Sequence, residues 1–411
     1  MAKKSKNARV PASPRESEKE DCQSGLLPKL RFPEFVDEPI RTASLGEVTE
    51  ECTGRRGKQL TSAAIMGVSK ADGIVPMEER HIGKDTTRYK LLSPDWFAYN
   101  PMRINIGSIA RWRGDCDVLV SPDYMVFRCI DDHESGISAD YLDQFRSSLQ
   151  WERFVSGNGD GGVRIRIYYK DLALLSMGLP SLLEQRKIAS CLSTLDELIG
   201  AQGRKVAALR IHKKGLMQQL FPCEGETQPR LRFPEFQDAG DWEEMNLADL
   251  AESISSGKDN AAPDGLFDLY GSTGIIGKAN SRSYSGTYLL VARVGANAGF
   301  LTKATGDFGV TDNTLVIVLK AKLNIDFVFY YLHQINLNKM IFGSGQPLIT
   351  GGQLKALKIK VPTHQTEQQR IASCLSSLDE LITAETQKLE ALKTHKRGLM
   401  QQLFPSPEDA S

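Results

Sequence analysis

The chain has 411 residues, 41% of them hydrophobic and 25% charged, with 51 basic and 51 acidic side chains in balance. This composition fits a globular protein of two or three domains, and no apolar run approaches the roughly 18 residues of a membrane-spanning helix. A net charge of zero counts against a binder that works by bulk positive charge, so the placement of cations matters more than their sum.

Residues 1–25 are charged and hold no apolar stretch suited to a signal peptide, which predicts a disordered tail. "LRFPEF" follows at Leu30. From 26 to 180 the sequence reads as a globular domain, with strand-like runs such as Asp117–Ile130 and Val163–Tyr169 and a Gly-rich turn at Ser156–Gly162. Residues 181–222 read as one long helix. "LRFPEF" returns at Leu231, inside a second globular stretch, 223–362, whose strand-like segments run through Thr287–Lys320. A second long helix spans 363–405, before a short tail, 406–411.

The two helices are nearly the same sequence. "EQRKIASCLSTLDELI" begins at Glu184 and "EQQRIASCLSSLDELI" at Glu367. Through the closing "GLMQQLFP", about 27 of 39 aligned positions are identical, far beyond shared helix propensity. The apolar seam steps by four and three: Ile188, Leu192, Leu195, Ile199, Gln202, Val206, Leu209 and Lys213, continuing to Leu216 and Leu220. Its counterpart is Ile371, Leu375, Leu378, Ile382, Glu385, Leu389, Leu392 and Lys396, then Leu399 and Leu403. This 3.5-residue period predicts a coiled coil of helices about 55 Å long. Each seam's cheapest partner is the other, and two copies in one chain predict an antiparallel pair about a pseudo-two-fold axis. Matching Glu385 to Lys213 and Gln202 to Lys396 sets the expected register.

Chemistry is sparse. "GSTGIIGKAN" at Gly271 fails as a phosphate loop by one residue of spacing, with Ala279 where Ser or Thr should stand. "NPMR" at Asn100 agrees with an amino-methyltransferase tetrad in only two residues. The six histidines show no ligand spacing. Seven cysteines without a CxxC pair suggest reduced, cytoplasmic thiols, so neither metal nor disulfide framework is expected. No catalytic constellation can be assembled. Both variable regions carry cationic runs, however. From Arg80 to Arg113 there are seven Lys or Arg against two Asp, and Lys278–Lys303 holds four and no acid.

The duplicated "EQ…DELI" helices, the proline before each, the "LRFPEF" entries, the "GLMQQLFP" ends and the run "YGSTGIIGKAN…LLVARVGANAG…TDNTLVI" together resemble the specificity subunit of Type I restriction–modification systems. The resemblance implies an α+β chain of two target-recognition domains, 26–180 and 223–362, joined by the two long helices. Each domain would read one half of a split site in double-stranded DNA. Two methylation subunits would dock on this chain and restriction subunits join later. The resemblance places S-adenosylmethionine, ATP and Mg in those partners, with no cofactor here. A coiled-coil adaptor for proteins alone is the rival reading.

Arg and Lys suit phosphate or guanine, and Asn and Gln suit adenine. On that basis the candidate DNA contacts are Arg103, Asn105, Arg111, Arg113, Arg164 and Arg166 in the first domain. In the second they are Lys278, Asn280, Arg282, Arg293, Asn297, Lys303 and Gln346.

Overall fold

The computed structural model describes residues 28–55, 64–130, 136–157, 166–341 and 347–404. The expected tails, and the candidates Arg164 and Gln346, lie outside the described residues. Two compact units emerge, residues 1–201 with 389–411 and residues 202–388. These units cut across the linear boundaries expected from sequence. Each takes one globular region and a piece of both long helices.

The first unit contains β1 (Arg41–Ser44), α1 (Leu45–Val48), β2 (Thr49–Glu51), β3 (Ile65–Ser69), β4 (Gly73–Pro76), β5 (Lys90–Leu92), β6 (Phe97–Tyr99), β7 (Ile109–Arg111), β8 (Val118–Val120) and β9 (Met125–Cys129). Helices α2 (Ala139–Phe145), α3 (Leu149–Gly157) and α4 (Tyr169–Leu172) follow, then β10 (Ser176–Leu179) and the start of α5 (Leu182–Leu220). Its sheets have the orders β2-β9-β6-β7 and β4-β3-β8-β5, with β1 paired to β10. Its main core joins Phe97, Tyr99 and Phe127 to Tyr141, Phe145 and Trp151. Ile188 and Leu192 of α5 complete it, with Met400, Leu403 and Phe404 from the chain's last helical turn and just beyond.

The second unit contains β11 (Glu243–Asn246), α6 (Leu247–Leu250), β12 (Ala251–Ser256), β13 (Phe267–Gly271), β14 (Gly274–Ala279), β15 (Tyr284–Ala292), β16 (Leu301–Val310) and β17 (Thr314–Leu319). Helices α7 (Ile325–Ile335) and α8 (Gly351–Ala356) precede β18 (Lys358–Val361) and α9 (Gln365–Leu403). One six-stranded sheet has the order β12-β17-β15-β16-β13-β14, and β11 pairs with β18.

The globular regions differ in sequence but share a plan. The order β2-β9-β6-β7 matches β12-β17-β15-β16 strand for strand. The backbone closures match too. The Leu45 N–H donates to Leu175 O, and the Leu247 N–H to Leu357 O, both at 2.8 Å. The Leu30 N–H reaches Gln402 O, and the Leu231 N–H reaches Gln219 O.

The repeated helix residues are the fixtures of this plan. Arg31 of the first "LRFPEF" forks onto Glu184 (3.0 and 2.5 Å), and Arg232 of the second onto Glu367 (2.7 and 2.8 Å). Both carboxylates are buried, where only a partnered charge is tolerable. Lys187 and Arg370 pair with Glu34 and Glu235 and lie over the rings of Phe32 and Phe233. Gln185 Oε1 accepts from the Ser138 N–H, and Gln368 Oε1 from the Asn324 N–H, the N-cap residues of α2 and α7. Asp196 accepts from Gln144 of α2, and Asp379 from Tyr330 of α7. The helix is written twice because it makes the same joints twice.

Both long helices run 39 residues, about 58 Å at 1.5 Å per residue. Every expected seam position is buried or half-buried. The segments run antiparallel within each unit. In the second, Gln202 and Lys205 reach Glu385 while Lys213 reaches Asp379 at 2.6 Å. In the first, Lys396 reaches Asp196 at 2.6 Å. The expected register is therefore corrected. Lys213 meets Asp379 and not Glu385, and Lys396 meets Asp196 and not Gln202. The seam alone could not see Asp196 and Asp379, which flank it and present full charges to the lysines. Gln202 instead turns its amide onto both the backbone and the carboxylate of Glu385.

Candidate nucleic-acid interface

The β6–β7 loop and the β15–β16 loop are equivalent places in the two units. In the first, the Asn100 N–H donates to Ser108 O; in the second, the Ala292 N–H donates to Phe300 O. A second segment is tied alongside in the same way. The Ile167 N–H donates to Pro101 O, and the Ile349 N–H to Arg293 O. Ile167 and Ile349 are both fully buried anchors. The short helices α4 and α8 start just beyond them, each with a capping box, at Tyr168 with Asp171 and at Thr350 with Gln353.

In the first unit this geometry brings Arg103, Asn105 and Arg166 to one surface. Arg103 and Arg166 are exposed, with no ion pair or side-chain hydrogen bond among the described residues. Lys70, from the β3–β4 turn, joins them. A Cβ placed on Gly107 (φ 92°) would stand 3.3–3.5 Å from its side-chain carbons, so Lys70 lies along the loop. Lys70 too has no side-chain partner among the described residues. Sequence reasoning missed it because it sits alone, outside the cationic run. Met102 and Ile106 stand exposed around Arg103.

Arg111 and Arg113 are held differently. Arg111 is almost buried and forks onto Asp95 and Asp140, each at 2.5 Å. Burial works against its charge, but those two carboxylates more than offset this and raise its pKa. Arg113 binds Asp143 at 2.6 Å, which also takes Arg146. These arginines brace the fold, and Arg111 has little freedom left for a ligand.

In the second unit, Arg293 and Asn297 share the β15–β16 loop. Arg293 has no side-chain partner among the described residues, and Asn297 is exposed. The loop is rigid: the Gly295 N–H donates to Pro347 O, the Ala298 N–H to Gly295 O and the Gly299 N–H to Ala292 O. Gly299, at φ 84°, admits no side chain, since a Cβ would stand 2.7 Å from Asn338 N.

Lys278, Asn280 and Arg282 lie elsewhere. Strand β15 has nine residues, about 30 Å at 3.4 Å per residue, and separates Arg282 from Arg293. Lys278 pairs with Asp268 and Arg282 with Asp307. Asp259 holds the intervening turn by accepting from Ser281, Ser283 and the Val310 N–H. Lys303 is taken up by Asp326 and lies over Phe329 of α7. Lys278, Asn280 and Arg282 thus lie at one end of this ribbon and Arg293 and Asn297 at the other, with Lys303 between them and tied to α7.

Among the described residues no group of three or more His, Cys, Asp or Glu could hold a metal ion. No helix among them is long and apolar enough to cross a membrane.

Residues 239–394 match the family model described as the Type I restriction modification DNA specificity domain. A 122-residue stretch is 33% identical to the Escherichia coli EcoprrI Type I restriction enzyme specificity subunit; it spans 30% of each chain. A longer match, 26% identical over 345 residues, covers 78% of this chain and 80% of a putative MjaX specificity subunit from Methanocaldococcus jannaschii. Among solved structures, the Type I S subunit from M. genitalium has a TM-score of 0.61 at 13% identity, covering 92% of this chain and 99% of that one. A chain from a structure of Type I system assembly and conformational transition has a TM-score of 0.57 at 16% identity, covering 90% of this chain and 98% of that one. The fold over nearly the whole chain is thus shared with these solved structures. The chain resembles the specificity subunits of Type I restriction–modification systems, and residues 239–394 match their DNA specificity domain.

Proposed function

We propose that this chain supplies the address and not the chemistry of a Type I complex in the cytoplasm. Each unit reads one half of a bipartite site in double-stranded DNA. The long helices set the spacing and dock two methylation subunits, and restriction subunits join the full assembly. S-adenosylmethionine, ATP and Mg act in those partners. The observation that carries this reading is the equivalent pair of loops. Both present Arg and Asn on a rigid turn beside a second tied segment, and the first gathers three cations without side-chain partners among the described residues.

Phosphate contacts supply affinity and position, and base edges supply sequence. Methylation profiling of the host genome should show a two-part motif. Binding to that duplex, measured with the assembled methylation complex across salt concentrations, tests the surface. Each of K70A, R103A and R166A that removes a phosphate contact should flatten the logarithmic salt slope by about 0.9. If all three leave affinity and slope unchanged, the surface is misplaced. A complex that binds target and scrambled duplexes equally would leave the chain as a protein adaptor.

A further inference from the structure

We propose that the turn Asn297–Phe300 reads one A·T step, with the Asn297 amide on the adenine edge and the Phe300 ring against a thymine methyl group. This rests on the DNA-reading function above and deepens it for the second unit. Phe300 is 55% exposed, yet its backbone is fixed. Its N–H donates to Asn297 O at 2.8 Å, and its C=O accepts from the Ala292 N–H at 2.9 Å. Gly299 before it abuts Asn338, and Leu301 after it packs on the unit's core. A ring carried on a fixed backbone loses little freedom on contact, so its burial against a ligand is favourable.

The fold does not require this ring. The equivalent position in the first unit is Ser108, which is buried, and the same backbone pair closes the loop around it. The surroundings select the occupant. The sequence Arg293–Phe300 holds one cation and no acid. Among the described residues of the segment tied alongside, Leu348 is the exposed apolar side chain. Among the described residues of this loop and segment, two exposed apolar side chains are far too few for a stable protein interface, which needs about 800 Å² per partner. A major-groove edge asks for what is present: an amide for adenine N6 and N7, an apolar face for the thymine methyl, and positive charge for the flanking phosphates.

The test uses the assembled methylation complex and duplexes bearing its profiled target. Each thymine of the second half-site is replaced in turn by deoxyuridine, which removes only the methyl group. One position should weaken wild-type binding by about three- to tenfold. F300A, and F300S carrying the first unit's residue, should bind the thymine duplex weaker by a similar factor and show no further loss with deoxyuridine. N297A should relax the adenine preference at that pair or its neighbour. The proposal is overturned if no thymine is sensitive, or if F300S keeps the sensitivity. If wild type fails to distinguish target from scrambled duplex, the DNA-reading function falls as well. That outcome is separate from a failure seen on a discriminating complex.

Discussion

Cutting the Arg232–Glu367 fork should cost the second unit about 3–5 kcal/mol, the usual penalty for leaving one buried charge unpartnered. The side chains are 6% and 1% exposed, and the two contacts are 2.7 and 2.8 Å. In R232A the Glu367 carboxylate keeps the Trp242 indole N–H, 3.3 Å away, as a neutral donor. One neutral hydrogen bond does not replace a guanidinium fork. Against a total stability of about 5–15 kcal/mol, the loss should open the unit visibly. The double variant R232M/E367M removes both charges and should fall within about 1–2 kcal/mol of wild type. Hydrogen exchange under increasing urea reads the effect locally. Segments 231–256 and 365–375 should lose protection in R232A and largely regain it in the double variant. The first unit's β6 and β9 serve as an internal reference. A single-variant cost below about 1 kcal/mol, or a double variant as weak as R232A, would refute the reasoning.

The corrected register predicts a charge swap: K213E should destabilise the second unit by about 1 kcal/mol, and D379K should restore it in urea melts; rescue by E385K would favour the register expected from the seam. G299A should cost about 2–4 kcal/mol locally, from strain at φ 84° and the clash with Asn338. Amide exchange at 293–300 should rise while first-half-site recognition persists, and an unchanged loop would contradict this. Burial alone would raise the pKa of Asp259, but Ser283, the Val310 N–H and Ser281 hold it below the ordinary carboxylate value. Its contribution is therefore complete above about pH 4 and is lost as pH falls through the depressed folded value. Protection of the Val310 amide should follow that acid limb in wild type but not in D259N; an identical limb in both would exclude Asp259 as its source.

The frame was legible in the sequence because it is written twice. Repetition exposed the helices, and the 3.5-residue period exposed their seam. Register was not legible, since it depends on Asp196 and Asp379, which sit beside the seam and gain meaning only when Lys396 and Lys213 arrive from the other helix. The common plan of the two globular regions was also hidden. It resides in backbone closures such as Leu45 to Leu175 and Leu247 to Leu357, which leave no mark on side-chain identity. For the site, composition offered Arg103, Arg166, Arg293 and Asn297 as candidates. It could not separate them from Arg111, whose two aspartates lie 16 and 29 positions away. Lys70 and Phe300 carried no motif at all; the β6–β7 loop beside Lys70 and the β15–β16 loop holding Phe300 mark them as candidates.

The two-stranded ribbons β1–β10 and β11–β18 give each reader a narrow neck. Chain enters and leaves side by side there, held by main-chain pairing from Arg41↔Leu179 to Ser44↔Ser176, and from Glu243↔Val361 to Asn246↔Lys358. Such a neck is nearly indifferent to what hangs beyond it. A foreign globular region would inherit its attachment from the peptide backbone and would need a helix whose N-cap amide meets Gln185 or Gln368 and a side-chain donor for Asp196 or Asp379. A region exchanged at the necks would leave the Arg31–Glu184 and Arg232–Glu367 forks intact, because both partners of each lie outside it.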